Sequence, residues 1–346
     1  MRQKPKISVG IIGKNFGYNV IYKALLKSKL FKVTSFCVRK KNNIPKISNG
    51  VKIFSNWKKI IEYKNNQAIV ISSPPSSHKK MISLAVKNNK HIFCEKPCTK
   101  SSKEIKSILD LIEKKNFFLS HMVNYSIAYL PSFLFFKKKI LNKEKSFKEG
   151  SLEWIIYSKS SKKNWKQDPK KGGGILYNFY CHTIYYLELL FGDIKSTKVD
   201  IKDKIHSNDN YIIGDVIFKS NLKIKIKILI GNLNKHKKSI HKIKIKTNKN
   251  VNYILSSSTK SVVDQFRIYK IKDYKNFKIK KLLFTTKPSK NDFRIKPTLT
   301  NLNRFGLSIT KKKFDRSSFF RANHVHYVLR KSLISSKKKK RIIINQ

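Results

Sequence analysis

The stretch that decides the fold is KISVGIIGKNFGYNV, residues 6–20, in which a β-branched run ends in glycine and a helix-compatible segment follows. A nucleotide-binding α/β unit needs glycine here, because the chain turns tightly and its amides approach a pyrophosphate at the helix N-terminus. Asn15 stands at the place of the second glycine of the GxGxxG pattern, and Gly17 comes one place early. By itself the segment is equally compatible with an ordinary strand-to-helix turn.

The alternation of strand and helix continues to about residue 123. Helices are predicted between the strands, and Ser101 with Glu104 forms a capping box ahead of one of them. Strands that alternate with helices indicate βαβ units and a parallel sheet. Residues 1–123 are therefore predicted to form one α/β domain. Its further strands are expected at residues 31–39, 51–54, 68–72, 91–95 and 117–123.

The pattern changes after residue 124. The segments LKIKIKI (222–228) and KIKIK (242–246) alternate strictly, which puts isoleucine on one face of a strand and lysine on the other. Strands covered on one side only form an antiparallel sheet with one solvated face. Residues 124–346 are predicted to form an α+β domain with a largely antiparallel open sheet, and its final helix is a candidate to pack back on the first domain. The basic run 337–341 resembles a nuclear-import patch, but its place between a helix and the apolar residues 342–344 favours an exposed turn.

Length and composition limit the class of protein. A chain of 346 residues with 40% hydrophobic content is long enough for about two domains. Its apolar runs fall short of the roughly 20 residues that cross a bilayer, and a long apolar stretch does not follow Met1. The four cysteines lack CxxC spacing, which favours reduced thiols over disulfides or zinc. We expect a cytoplasmic protein that neither enters a membrane nor holds a metal.

The net charge of +59 raises the alternative of a polyanion partner, since clustered cations gain affinity by releasing counterions from phosphates. The cations are mostly lysine and are spread along the whole chain, whereas a binding site would gather them on one face. The abundant residue types are those with A/T-rich codons. Drift in base composition is the favoured explanation, and a basic nucleic-acid-binding protein remains the less favoured alternative.

Two further segments of the first domain carry candidate chemistry. SSPPSSH (72–78) and KHIFCEKP (90–97) follow successive strands at the edge of a parallel sheet where ligands bind in open α/β folds. A lysine between Glu95 and Pro97 can hydrogen-bond a substrate oxygen and stabilise negative charge there. At the end of the second strand, residues 39–41 are Arg-Lys-Lys, and cations at this place suit a 2′-phosphate and favour NADP over NAD.

The second domain offers KGGGILYNFYCHTIYYLELLFG, residues 171–192. Three glycines allow close backbone approach, and the helix after them places Asn178 and His182 four residues apart on one face. Histidine exchanges protons near neutral pH, and an amide beside it orients a hydroxyl without doing so. A helical histidine is also a common structural residue.

Together, the glycine turn, the PP…H segment, EKP and GGG…H resemble the Gfo/Idh/MocA oxidoreductases, over residues 6 to about 195. The resemblance implies a Rossmann domain that binds NAD or NADP and a C-terminal α/β domain whose sheet often forms the oligomer interface. It implies hydride transfer between the cofactor and a hydroxyl carbon of a sugar, cyclitol or sugar nucleotide. By the resemblance, Lys96 corresponds to the lysine of the EKP motif and His182 to the acid/base histidine, and Asn178 is the third catalytic candidate because it shares a helix face with His182. The cofactor-binding residues are expected to be Gly13, Asn15, Phe16, Gly17, Arg39, Ser73, Pro74, Pro75, His78, Glu95 and Lys96.

The chain departs from the pattern of this family at four positions. Asn178 stands where many members carry aspartate, so the histidine lacks a charged partner there. Tyr185 replaces a common aspartate, Tyr180 a glycine, and Ala128 a frequent arginine. These departures leave a second interpretation, a family member that binds cofactor but has weakened catalysis.

Overall fold

The fold was analysed in a computed structural model that describes residues 5–39, 47–144, 146–157, 165–205, 207, 209–219, 224–233, 238–249, 251–259, 265–273, 278–286 and 292–345. The chain divides into two compact units. Unit 1 comprises Met1–Ser126 and Arg294–His324, and unit 2 comprises Ile127–Phe293 and Val325–Gln346.

Unit 1 is built on a parallel sheet of six strands, in the order β3-β2-β1-β4-β5-β6. The strands are β1 Ile7–Ile12, β2 Phe31–Cys37, β3 Lys52–Phe54, β4 Ala68–Ile71, β5 His91–Glu95 and β6 His121–Asn124. The helices are α1 (a π-helical turn Gly17–Tyr22 continued by Lys23–Leu26), α2 Trp57–Glu62, α3 Pro75–Lys87, α4 Ser102–Glu113 and α7 Ile295–Thr310. The predicted parallel-sheet domain is confirmed, although β6 begins at residue 121 and not at 117.

Gly10 of β1 serves packing. A Cβ at this position would lie 2.6 Å from Asn66 Nδ2 and 2.7 Å from Ser35 Oγ. The buried Asn66 accepts hydrogen bonds from Ser35 and Thr34 and donates one to the carbonyl of Ile60. Gly10 therefore leaves room for a polar network under the sheet, which separates its role from that of the glycines at the end of the strand.

Unit 1 is completed by a segment that returns from the far end of the sequence. Phe305 of α7 stacks on Phe31 at 6.0 Å between ring centroids and packs against Phe93 at 5.6 Å. Ile295 and Leu302 enter the same core cluster. Residues 294–324, which the sequence analysis placed in the second domain, thus lie in unit 1, because the apolar side of α7 is buried against this sheet.

Unit 2 contains a sheet of nine strands, in the order β14-β13-β12-β11-β7-β10-β9-β8-β15. Strands β7 and β10 are parallel and the other neighbours are antiparallel, as the sequence predicts. The strands are β7 Phe147–Ile155, β8 Ile194–Lys202, β9 Asp209–Phe218, β10 Lys225–Leu233, β11 Ser239–Thr247, β12 Val251–Thr259, β13 Arg267–Asp273, β14 Lys278–Thr285 and β15 Ile342–Ile343.

The helices of this unit precede β7, connect β7 to β8, and precede β15. They are α5 (Pro131–Phe135, continued by the π-helical turn Phe136–Leu141), α6 (Cys181–Phe191, preceded by the π-helical turn Leu176–Tyr180) and α8 Phe319–Lys338, whose first residues belong to unit 1. The basic run 337–341 is exposed over residues 337–340, but its first two lysines form the last turn of α8, so the predicted turn begins only at residue 339.

Two of the three alternating lysines of β11 lie opposite acidic residues. Ile243 and Ile245 are buried and Lys244 is exposed, which confirms the two-faced strand. Across the β11–β7 pair, Lys242 faces Glu153 and Lys246 faces Glu149. Opposite charges at cross-strand positions are favourable, so the open face of the sheet is not uniformly cationic.

All four cysteines are buried free thiols, in agreement with the prediction. Among the described residues, every helix is too short or too polar to cross a membrane.

Buried histidines make the folded chain sensitive to acid. Burial lowers the pKa of His91 and His326 to about 4 and that of His121 and His241 to about 3, and it also lowers the pKa of His78. Between about pH 4 and 6.5 the unfolded chain binds these protons and the folded chain does not. The free energy of unfolding should therefore decrease as the pH falls, by about 1.4 kcal/mol per pH unit for each group.

Urea denaturation from pH 4.5 to 7.5 measures this slope. His91→Gln should lower it by about one proton, because glutamine can still accept the hydrogen bond that the Ser120 amide donates to His91 Nδ1 at 3.0 Å. A slope unchanged in this variant would contradict the assignment.

Candidate functional site

The first candidate site is the turn between β1 and α1. Gly13 has φ +122°, and a Cβ at this position would collide with the carbonyl group of Ser72 at the end of β4. A Cβ on Gly17 would meet Ile11 at 3.4 Å and the side chain of Ser72 at 3.6 Å. Gly13 therefore allows the turn to lie against the neighbouring strand end, as a dinucleotide-binding turn requires, whereas a Cβ on Gly17 would make only ordinary van der Waals contacts.

The helix after this turn presents backbone amides at its N-terminus. Its first intrahelical hydrogen bond runs from the Tyr18 amide to the Lys14 carbonyl, at 3.0 Å, so the amides of residues 15–17 precede the helical pattern. Asn15 is exposed and Phe16 is half-buried beside the buried Gly17. Amides at a helix N-terminus bind anions, which suits a pyrophosphate.

A nicotinamide dinucleotide fits the residues of this turn. Ser72 Oγ is buried and lacks a hydrogen-bond partner within the described residues, and its Cβ lies close to both Gly13 and Gly17. An orphaned hydroxyl beside a cradle of glycines matches the polar groups of a cofactor. Arg39, which follows β2, is exposed, while Lys40 and Lys41 lie outside the described residues.

His78 joins the loops that follow β4 and β5. It is fully buried; its Nε2 lies 2.8 Å from the Ser73 carbonyl, and its Nδ1 lies 3.1 Å from the Pro97 carbonyl and 3.2 Å from that of Cys98. Cys94 Sγ lies 3.3 Å from the same Nδ1, so both ring nitrogens are engaged within the protein and any effect of His78 on a cofactor passes through these two loops.

The other predicted residues of the β4 loop begin α3. Pro75 is buried at the first helical position, where its missing N–H costs nothing, and Pro74 is exposed just before it. Ser73 Oγ lies 2.7 Å from Ser77 Oγ. This loop therefore keeps a fixed conformation beside the glycine turn.

Glu95 and Lys96 stand at the end of β5. Burial raises the pKa of the Glu95 carboxyl to about 7, although the hydrogen bond from Asn124 and the charges of Lys96 and Arg294 act to lower it. Asn124 Nδ2 donates to Glu95 Oε1 at 2.5 Å. The peptide bond between Lys96 and Pro97 is cis. Lys96 is half-buried and follows β5 directly, at the edge of the sheet where the strand ends also carry the glycine turn.

A chain of polar side chains that the sequence analysis did not single out reaches Glu95 from α7. Asn301 Nδ2 donates to Asn124 Oδ1 at 2.9 Å, and Arg304 Nη1 donates to Asn301 Oδ1 at 3.1 Å. Arg304 Nη2 also binds Asp315 Oδ1 at 2.6 Å. Arg294, just before α7, places its guanidinium 5.1 Å from the ring of Phe16. The only sequence signal for these contacts is polar residues within an otherwise amphipathic helix.

The predicted residues of unit 2 lie on and around the helix that follows the three glycines. Asp203 accepts hydrogen bonds from the amides of Ile175 and Leu176, both at 3.0 Å, and a Cβ on Gly174 would collide with this carboxylate. A carboxylate at a helix N-terminus satisfies its amides and favours its dipole. Asp203 therefore anchors the helix that carries Asn178 and His182.

Asn178 and His182 have different surroundings. Asn178 is half-buried in the π-helical turn, and its Nδ2 donates to the Lys166 carbonyl at 2.6 Å. His182 is 6% exposed, in the first turn of α6. The side-chain amide of Asn178 is thus hydrogen-bonded to the loop that precedes the three glycines.

The tyrosines that replace family residues belong to the core of unit 2. Tyr180 is fully buried, with its hydroxyl 3.3 Å from Ser332 Oγ of α8. The hydroxyl of Tyr185 lies 2.7 Å from that of Tyr129. Both hydroxyls have partners within this unit.

The sheet order of unit 1, its glycine turn and the acidic and basic side chains at the ends of its strands define an NAD-binding Rossmann oxidoreductase. Residues 7–123 match the family model described as the oxidoreductase family with NAD-binding Rossmann fold, and residues 150–267 match that of its C-terminal alpha/beta domain. The chain belongs to this Gfo/Idh/MocA family.

Relatives and solved structures agree with this assignment. An uncharacterized oxidoreductase of Schizosaccharomyces pombe is 28% identical over 163 residues, 45% of this chain and 42% of the relative. The levoglucosan dehydrogenase of Pseudarthrobacter phenanthrenivorans is 27% identical over 154 residues, 41% and 37% of the two chains. A structure of levoglucosan dehydrogenase in complex with NADH superposes with a TM-score of 0.81 at 15% identity, over 99% of this chain and 100% of that one. The alignments with the first three curated relatives span between 39% and 56% of their lengths.

Gly13→Ala should abolish the close approach of the turn to Ser72. Gly50 is the matched control, because it also has a positive φ, +83°, but a Cβ there meets nothing within 4 Å. Both variants carry backbone strain of order 1 kcal/mol, and only Gly13→Ala adds a collision. We expect NADH affinity, measured by fluorescence titration, to fall at least tenfold in Gly13→Ala and to stay within twofold in Gly50→Ala. Equal affinities would contradict the placement of the cofactor.

Proposed function

We propose that this chain is an NAD(P)-dependent oxidoreductase that transfers a hydride between the cofactor and a hydroxyl carbon of a sugar, cyclitol or sugar nucleotide. The observation that carries the proposal is the glycine turn against Ser72, with Glu95 and Lys96 at a strand end of the same sheet edge. The sugar-like substrate class is supported by the levoglucosan dehydrogenase among the relatives.

The bound cofactor supplies the hydride acceptor or donor. In the proposed mechanism the Lys96 ammonium donates a hydrogen bond to the reacting oxygen and stabilises the charge that develops on it. His182 takes the proton of the hydroxyl during oxidation and returns it during reduction. Ionised Glu95 accepts hydrogen bonds from cofactor hydroxyls, since a carboxylate is a pure acceptor.

Asn178 is proposed to orient the substrate together with the loop at Lys166, to which its amide is bonded. An amide in place of a carboxylate cannot hold a positive charge on a neighbouring imidazole. His182 is accordingly proposed to act as a base of lower strength than in a histidine–aspartate pair.

The proposal also covers the cellular compartment and the self-association of the protein. Four free, buried thiols support a reducing compartment such as the cytoplasm. Assembly of identical chains through the open face of the nine-stranded sheet is supported by Ile213 and Leu282, which are 49% and 50% exposed on that face. A small sugar-like molecule is the proposed partner in catalysis.

Arg39 is proposed to favour NADP. Arg39→Ser should weaken NADPH binding about tenfold and leave NADH binding unchanged, because only NADPH carries the 2′-phosphate that the guanidinium would pair with. Lys32→Ser, at an exposed position near the start of the same strand, is the matched control. Equal losses for both cofactors would overturn the preference for NADP.

Lys96→Met and His182→Ala test the chemistry. Each should lower kcat/KM by about a hundred- to ten-thousand-fold on a sugar or cyclitol that the wild type oxidises, while NADH affinity changes only a few-fold. Lys103→Met, on the exposed face of α4, should keep full activity. Unchanged turnover in His182→Ala would remove the histidine from the mechanism.

The same measurements address the alternative of weakened catalysis. This alternative is favoured by the hydrogen bond that the Asn178 side chain donates to the Lys166 carbonyl. An aspartate carboxylate at this position has no hydrogen to donate, so the bond is specific to the amide. That alternative predicts cofactor binding by the wild type with turnover below detection across a panel of polyols, anhydrosugars and sugar nucleotides. Asn178→Asp should then raise turnover, because a carboxylate stabilises the imidazolium.

A further inference from the structure

The geometry points to Arg304 as a positioning residue that, through Asn301 and Asn124, holds Glu95 as an ionised hydrogen-bond acceptor for a hydroxyl of the nicotinamide cofactor. This inference rests on the proposed function, and it assigns the returning helix α7 a part in cofactor binding.

Arg304 determines the direction of the first hydrogen bond in the chain. A guanidinium carries only N–H donors, so the Asn301 atom 3.1 Å from Arg304 Nη1 must be the carbonyl oxygen. Asn301 consequently directs its NH₂ group at Asn124, whose oxygen accepts at 2.9 Å. Asn124 is thereby obliged to present its own NH₂ to Glu95 Oε1. Donor and acceptor polarity is fixed at every link by the arginine.

The surroundings of the chain keep this polarity from relaxing. Asn124 is 1% exposed and Asn301 is fully buried, so water cannot replace a lost partner for either amide. Asp315 Oδ1 holds the other Nη of Arg304 at 2.6 Å and itself accepts the Ser317 amide at 2.7 Å. Thr298 Oγ1, on the same face of α7, lies 3.4 Å from Asn124 Nδ2.

The effect falls on a carboxyl group whose ionisation is finely balanced. Burial raises the pKa of Glu95 to about 7, and the groups that oppose this rise are the Asn124 amide, Lys96 and Arg294. If Asn124 turned its oxygen toward Glu95, a donor would become an acceptor facing the carboxylate. The protonated carboxyl would then be favoured, and it would offer one acceptor fewer to the cofactor.

The test compares three variants of the full chain. Arg304→Met removes the donors, Arg304→Lys keeps a donor-only side chain, and Arg316→Met removes an exposed arginine of the same segment as the matched control. The pKa of Glu95 is read by ¹³C NMR of glutamate-labelled protein, with Glu95→Gln identifying the resonance. NADH affinity is followed by fluorescence between pH 6 and 9.

We expect Arg304→Met to raise the pKa of Glu95 by about one unit, the scale of a lost hydrogen bond to a charged group. NADH affinity, which should rise with pH as Glu95 ionises, would then be about fivefold lower than wild type at pH 7 and nearly equal to it at pH 9. Arg304→Lys should restore most of both values, and Arg316→Met should change neither.

Two results would overturn the inference alone: an unmoved pKa of Glu95 in Arg304→Met, or an affinity loss equal at pH 7 and pH 9, which a general loss of structure produces. Failure of the wild type to bind NADH or NADPH at any pH would instead overturn the proposed function, and this inference with it. If Arg304→Met does not fold, Arg304→Met combined with Asp315→Asn removes both charges together and gives the same readout.

Discussion

One buried imidazole holds the two loops on which the candidate site depends. His78 lies against the carbonyls of Ser73, Pro97 and Cys98, and burial lowers the pKa of its ring. A neutral imidazole has one N–H to offer these carbonyls. That N–H lies either on Nε2, which faces the Ser73 carbonyl of the loop after β4, or on Nδ1, which faces the Pro97 and Cys98 carbonyls of the loop after β5, and in both tautomers the ring packs between the two loops.

The fold could be read from the sequence where neighbouring residues determine structure. The alternation of β-branched runs and helices up to residue 123 and the isoleucine–lysine strands of unit 2 are local patterns, and both are confirmed. Helix α7 was not predicted from the sequence, because its buried side includes the polar residues Thr298, Asn301 and Ser308 as well as Leu302. Ile295, Leu302 and Phe305 do recur at helical spacing on this side, but Pro297 and the polar residues between them interrupt the apolar pattern, so the segment was not assigned to a helix.

The residues of the candidate site likewise include some that local sequence predicts and some that only the folded chain brings together. Gly13 and Gly17 were predicted from their position after a strand, and the collision of a Cβ with Ser72 gives the physical reason for glycine at position 13. Gly10, from the same run, serves Asn66 instead, which the spacing of glycines alone could not reveal. The link between Asn124 and Asn301 joins residues 177 positions apart, and only the folded chain brings them together. The roles of Lys96, Asn178 and His182 remain predictions.

The path of the backbone limits how segments of this gene can be exchanged by recombination. The chain leaves unit 1 after Ser126 and comes back to it at Arg294, so the Rossmann half is encoded in two pieces. A gene fragment that stops near residue 126 would leave Phe31 and Phe93 without the ring of Phe305 that covers them. Recombination that exchanged the whole nucleotide-binding unit between genes would therefore have to transfer both pieces of its sequence.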